Sequence, residues 1–198
     1  PINIEAFKPG KYESLNGRPL KILVGGLNAI KDPRKGFKYL LQALEKLKAQ
    51  NERIELISFG DESDAETISS LPFKTSFTGS VSGDINLAKI YNQSDILVLP
   101  SLQDNLPNTV MESLSCGKPV IAFETGGIPD MIEDAYNGFL VKLGDTDGLE
   151  NKIRTINSNE VLERMSQNAR KSVVKRYSYE LIGNTLAELY QKHKTKEF

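Results

Sequence analysis

SLQDNLPNTVMESLSCGKPV, residues 101–120, joins two apolar runs and holds the clearest strand–helix–strand signal in the chain. Ahead of it, Asp95-Ile96-Leu97-Val98-Leu99 is nearly all apolar, as a strand buried on both faces must be. Pro107 fits the first residue of a helix, since its fixed φ suits the first turn and its missing N–H would be unpaired there anyway. The same proline pushes Leu106 out of the helical region and makes it the N-cap, with no side-chain acceptor to offer. The N–H groups of Asn108, Thr109 and Val110 are then open to a ligand, unless Asn105 or Asn108 folds back on them. Gly117 ends this helix, expected over 107–116, and a further strand follows at 119–123.

The alternation extends outward from this unit. Residues 20–24 form a short apolar run ending in Gly25-Gly26, and 53–59 a second one ending at Gly60-Asp61. Short strands are also expected at 75–78 and 139–141. Between them, Phe37, Leu40, Leu41, Leu44 and Leu47 recur at helical period within 36–50. A weak helix is expected at 62–70, and one at 84–92 with Leu87, Ile90 and Tyr91 inward. A short helix begins at Pro129, and the region from Asp147 onward reads as two or three helices. The tail, 191–198, is polar and is expected to fray. Alternating β and α units with short connections predict an α/β domain: a parallel sheet of about six strands with helices on both faces. Ligands of such sheets bind beyond the carboxyl ends of the strands. Gly25, Gly60, Gly79 and Gly126 recur there, though each also reads as a tight turn.

The bulk numbers set the class. At 198 residues the chain fits one domain, or one large domain with appended helices. With 25 basic against 26 acidic residues it carries no basic stripe, which argues against a nucleic-acid partner. The lone cysteine, Cys116, excludes an internal disulfide framework and fits a reducing compartment. No apolar run reaches the ~20 residues of a membrane span, and no signal peptide opens the sequence. Pro1 stands where Met would begin a complete chain, so excision from a longer protein is expected.

Three constellations could carry chemistry. Asp104 and Glu112, eight residues apart, flank one helix mouth. Anions favour such a mouth, because free N–H groups and the helix dipole attract them. Carboxylates beside it can grip hydroxyls of the same ligand, and a nucleotide sugar needs both. Glu112 reads equally as a solvent-facing residue of an amphipathic helix. Asp32-Pro33-Arg34-Lys35-Gly36 places two cations at a helix start, where the dipole disfavours them and a bound diphosphate would resolve the conflict; it also reads as a solvated charged loop. Asp145-Thr146-Asp147 is a literal D-x-D, better read as an N-cap than as a metal site, since no third oxygen ligand is in view. Cys116 reads as a small packed residue, and the lone His193 leaves no material for a histidine-based triad. Neither G-x-G-x-x-G nor a P-loop occurs.

Taken in order, these residues resemble the carboxyl-terminal, donor-binding half of retaining glycosyltransferases of the GT-B fold, glycosyltransferase family 4. The resemblance rests on Phe7-Lys8-Pro9, Pro33-Arg34-Lys35-Gly36, Phe77-Thr78-Gly79, Leu99-Pro100-Ser101, Asp104 to Glu112, Gly117-Lys118-Pro119-Val120 and Thr125-Gly126-Gly127-Ile128-Pro129. Asp-Asn-Leu-Pro-Asn, at 104–108, is similar to enzymes that build bacterial surface polysaccharides. The resemblance implies a Rossmann-like sheet, with residues 1–19 as an interdomain linker remnant and 20–198 as the nucleotide-sugar domain. It implies that Lys35, with Arg34 beside it, neutralises the diphosphate leaving group, and that Glu112 holds the ribose hydroxyls. Asp104 takes the place of a glutamate that contacts the transferred sugar. Backbone N–H groups of Asn108 and Thr109 would meet sugar or phosphate oxygens, Asn105 and Leu106 would belong to the same nucleotide-sugar site, and backbone near Val81 would meet the base. The donor is expected to be a UDP-sugar rather than a GDP-sugar, with no cofactor and no metal. An amino-terminal acceptor-binding domain is the implied partner. The full-length enzyme is expected in the cytoplasm, associating peripherally with the inner face of the membrane. Three features depart from the family: Gly26 stands where an arginine is usual, Asp104 is one methylene shorter than glutamate, and the loop from Gly26 to Lys35 is longer than the common form. A GT-B sugar-nucleotide epimerase and a non-catalytic nucleotide-sugar module are the alternatives.

Overall fold

The structure, a computed structural model, describes residues 1–26 and 29–194, with the backbone alone at 193 and 194. Residues 27–28 of the loop before Lys35, the His193 side chain and the tail residues 195–198 lie outside the described residues.

Six strands form one parallel sheet: β1 (Leu20–Gly25), β2 (Ile54–Phe59), β3 (Lys74–Phe77), β4 (Ile96–Leu99), β5 (Val120–Phe123) and β6 (Gly138–Val141), in the order β3-β2-β1-β4-β5-β6. The helices are α1 (Phe37–Ala49), α2 (Ala65–Ser69), α3 (Asp84–Gln93), α4 (Asn108–Ser115), α5 (Ile128–Met131), α6 (Thr146–Ile156), α7 (Asn159–Tyr177) and α8 (Tyr179–Lys194). The expected six-stranded α/β architecture with carboxyl-terminal helices is therefore the observed one. None of the helices among the described residues is long and apolar enough to cross a membrane.

Alternation along each strand feeds two cores. Ile22 and Val24 of β1, Ile96 and Val98 of β4, and Ile121 and Phe123 of β5 face α1 and α6, meeting Leu40, Leu44, Leu149 and Ile153. Leu23, Leu97, Leu99, Val120 and Ala122 face the other way, against Tyr91 of α3, Val110 and Leu114 of α4, and Ala169 and Val173 of α7. Covering both faces is what makes the strands continuously apolar, and each fully buried side chain contributes about 1.5–3 kcal/mol. Asn51, at φ 63°, stops α1 in the left-handed region that asparagine tolerates.

Two local expectations need correction. The weak helix at 62–70 is a 3₁₀ turn, Glu62–Asp64, running into α2; Asp61 caps the turn by accepting from the Ser63 N–H at 2.8 Å. The helix after β4 starts at Asn108, not Pro107. Pro107 is the N-cap, in an extended conformation (φ −66°, ψ 122°), and Leu106 lies one residue outside. The contact ahead of it is tertiary: the Gly127 N–H bonds the Asn105 carbonyl at 2.7 Å and holds the bend at Asn105 and Leu106 just before the proline. The Pro107 carbonyl then accepts from the Val110 N–H at 3.0 Å, so that donor is already taken.

The strand order reverses between β1 and β4. From β1 the chain builds outward through β2 and β3, then returns beside β1 and builds the other way. Such a reversal leaves a crevice beyond the carboxyl ends of the two central strands, because the following connections leave toward opposite faces.

Candidate functional site

A cleft of about 200 Å³ occupies that crevice. The ends of β1 (Val24, Gly25) and β4 (Val98, Leu99) form its floor together with Gly26 and Pro100, and Lys35, Asp104, Pro107, Asn108 and Thr109 line its walls.

Lys35 reaches the cleft from a 3₁₀ turn, Pro33–Lys35, that Asp32 caps by accepting from the Arg34 N–H at 2.9 Å. Gly36 then turns the chain into α1 at φ +66°. A Cβ there would lie 1.9 Å from the Pro100 carbonyl oxygen, so only glycine lets this turn press against the loop after β4. The contact is reinforced by the Leu102 N–H, which donates to the Arg34 carbonyl at 2.6 Å. Lys35 Nζ is consequently 2.8 Å from Asp104 Oδ2, and their side chains are 32% and 15% exposed. The Ser101 hydroxyl also donates to Oδ2, at 3.4 Å. From the far side, Gly126 (φ +52°) packs so closely that a Cβ would lie 1.8 Å from the Asp104 carbonyl oxygen. The Thr125 hydroxyl bonds the Leu102 carbonyl at 3.1 Å. The Asp104 loop is thus clamped between the Lys35 turn and the Thr125-Gly126-Gly127 turn.

The mouth of α4 opens into the same cleft. Neither the Asn108 nor the Thr109 N–H has an acceptor among the described residues, and the buried Thr109 hydroxyl has no partner. One turn further along α4, outside the cleft lining, sits Glu112, three residues from Thr109 and four from Asn108. Glu112 is half-buried, not solvent-facing, and its Oε2 accepts from the Tyr91 hydroxyl at 2.8 Å. Burial pushes its carboxyl above the ordinary value; the Tyr91 bond opposes the shift and the Asp84 charge adds to it.

Other candidates are placed differently. The Arg34 guanidinium is turned out of the cleft: it pairs with Asp32 at 2.7 Å and is 69% exposed. Asp32 lies only two residues away and offers both oxygens, so the local pair captures the arginine. Asn105 and Leu106 are exposed beside the helix mouth, outside the cleft lining. Val81 lies between β3 and α3, packed against the α3-side core and also outside that lining. Cys116 is buried and its thiol is pushed up to about 12, mainly by desolvation, which leaves it without thiolate character. Asp145 caps α6, accepting from the Gly148 N–H at 2.8 Å, while Asp147 pairs with Lys46. Among the described residues no three His, Cys, Asp or Glu side chains gather as a metal-binding group would.

Sequence reasoning placed Tyr91 in the core and missed its hydroxyl. The signal was there: a tyrosine at an inward helical position needs an acceptor for its O–H, and an acid at an otherwise apolar position needs a donor.

A cation, two free helix N–H groups and two carboxylates at a strand-order reversal can together hold a ligand that is anionic at one end and hydroxylated at the other. Comparison with known proteins gives the family. Residues 18–172 match the family described as "Glycosyl transferases group 1". Sulfoquinovosyl transferase SQD2 of Arabidopsis thaliana is 32% identical over 186 residues, 88% of this chain and 35% of that protein. Among solved structures, the HepE–UDP complex of Anabaena superposes with a TM-score of 0.78 at 20% identity, covering 96% of this chain and 56% of that one. The carboxyl-terminal domain of the group 1 glycosyl transferase LpcC from Francisella tularensis, solved by itself, gives a TM-score of 0.71 at 19% identity, covering 90% of this chain and all of that one. The chain therefore spans about a third to a half of the larger relatives, and it belongs to the group 1 glycosyl transferases as a domain with the carboxyl-terminal GT-B fold.

Proposed function

We propose that this chain is the donor-binding half of a retaining glycosyltransferase that takes a sugar from UDP and transfers it to a glycan or lipid-linked acceptor during bacterial surface polysaccharide synthesis. The observation that carries the reading is Lys35 Nζ held over the cleft, facing the unpaired N–H groups of Asn108 and Thr109. These are the groups that charge building on a departing diphosphate requires, and such preorganised donors are commonly worth about 3–4 kcal/mol each. Glu112 holds the ribose hydroxyls. Asp104 exchanges its bond with Lys35 for hydroxyls of the transferred sugar once a phosphate takes the lysine. Backbone near Val81 meets the base, and Asn105 and Leu106 border the sugar. The UDP in HepE supports the base assignment. Residues 1–19 link this domain to an acceptor-binding half, and the full-length enzyme works in the cytoplasm at the inner face of the membrane.

Titration calorimetry on the 198-residue chain tests the donor site. UDP binds, and binds more tightly than GDP; Lys35→Ala weakens UDP binding about 10- to 100-fold, as expected for loss of a charge-assisted phosphate contact. No heat at millimolar UDP would overturn the proposal. A non-catalytic nucleotide-sugar module is the second reading, favoured by Gly26, which leaves the end of β1 without a side-chain cation. Transfer of a radiolabelled sugar by the full-length protein separates the two: turnover in the intact protein, lost with Lys35→Ala, excludes the module.

A further inference from the structure

We propose that Tyr91 is the positioning residue for the ribose-binding carboxylate, its buried hydroxyl fixing Glu112 in the orientation that presents the other oxygen to the donor. The proposal rests on the assignment of Glu112 to the ribose. Tyr91 is 0% exposed. Its ring is fixed edge-on by Phe59 of β2 (centroids 6.2 Å apart) and by Phe7 of the amino-terminal segment (6.3 Å). A phenol so enclosed has no water to bond, and Glu112 Oε2, at 2.8 Å, is the acceptor it has among the described residues. The bond restrains a long side chain that would otherwise lose rotamer freedom only on binding. It occupies one acceptor site of Oε2, and Oε1, which accepts no bond among the described residues, is the oxygen with both sites open to a ribose hydroxyl. Phe7 contributes through the ring contact, so the amino-terminal segment supports this side of the site from behind.

The test is the preference of the 198-residue chain for UDP over 2′-deoxyuridine diphosphate, a ratio that a general loss of packing does not change. The unsubstituted chain prefers UDP about tenfold, the size of one hydrogen bond to a charged group. Tyr91→Phe cuts the preference to about two- to threefold and leaves the affinity for the deoxynucleotide within about twofold. Glu112→Gln abolishes the preference, and adding Tyr91→Phe to it changes nothing further, as expected when the tyrosine acts through the carboxylate. Phe59→Leu, which loosens the ring but spares the hydroxyl, lowers stability without altering the ratio. Site-specific 3-fluorotyrosine at position 91 makes the phenol a stronger donor and raises the ratio, which keeps the test available if Tyr91→Phe does not fold. If Tyr91→Phe keeps the full preference, Tyr91 is a packing residue only and the proposal falls while the ribose assignment stands. If the unsubstituted chain binds both nucleotides equally, the ribose assignment falls and takes the Tyr91 role with it.

Discussion

Asp64 is 1% exposed, and neither of its carboxylate oxygens has a hydrogen-bond partner among the described residues. Burial pushes its carboxyl above the ordinary 3.8, with Asp61 adding to the shift and Lys31, whose ammonium bonds the Ser63 carbonyl, opposing it. A raised folded-state value means the folded chain holds this proton more tightly than the unfolded chain does. The cost of ionisation is therefore absent below pH 3.8, sets in as the pH rises, and is complete above the raised value. Asp64→Asn should raise the melting temperature at pH 7 and leave it unchanged below pH 3.8, checked by calorimetry at both pH values. Equal stability at pH 7 would mean that the carboxylate finds a partner in solution. Asp64 was invisible in the sequence because an aspartate near the start of the weak helix expected at 62–70 reads as a solvated first-turn residue. Lys35 and Asp104 stood out in the sequence because a cation and an acid at a strand-to-helix junction conflict with local energetics unless something pairs with them, and in the structure they pair with each other. Arg34 stood out in the same way, and in the structure its guanidinium pairs with Asp32 two residues away.

At the scale of elements, the central strands β4 and β5 were legible because burial on both faces writes itself as unbroken apolar runs. The strand order was not, since β1 pairs with β2 and β4 through backbone groups that any residue supplies. The start of α4 was misplaced by one residue because Gly127, twenty residues after Pro107, holds the bend just before the proline. Gly36 and Gly126 let two turns press on the loop that carries Asp104. Gly36→Ala therefore costs about 1–3 kcal/mol from its left-handed backbone alone, plus the displacement of Pro100. Urea unfolding should show that loss, and UDP titration of the refolded variant should show weakened binding, because Lys35 and Asp104 no longer meet across the cleft. Gly17, at φ +79° with open space around it, supplies the control: Gly17→Ala shows the backbone cost without the effect on binding.

At the scale of the whole molecule, residues 1–19 pass as a linker in the sequence and are packed onto the domain in the structure. Ile2, Phe7 and Leu15 are buried, and the Ile2 N–H bonds the Tyr177 carbonyl at 2.8 Å. Asn92 accepts from the Gly10 N–H and donates to the Lys8 carbonyl. Arg18 grips Asp95 with two nitrogens, each at 2.7 Å. A further anchor is Arg170 of α7, which donates to the carbonyls of Ile4, Phe7 and Ser115 at 2.8–3.0 Å, while the Ser115 hydroxyl bonds Phe7 as well. The Arg170 contacts are not legible in sequence, because their acceptors are mostly backbone carbonyls and any sequence has them. The consequence is mechanical: Arg170 is one of the residues that hold the segment placing Phe7 against Tyr91. Arg170→Ala should cost about 2–3 kcal/mol in urea unfolding, since charge-assisted bonds are lost and half-buried carbonyls are left unpaired. Hydrogen exchange at the Ile2 and Phe7 amides should accelerate more than at the β4 amides, which report the global equilibrium. A segment that merely trails along the surface would instead leave stability within about 0.5 kcal/mol and exchange at Ile2 already fast in the unsubstituted chain.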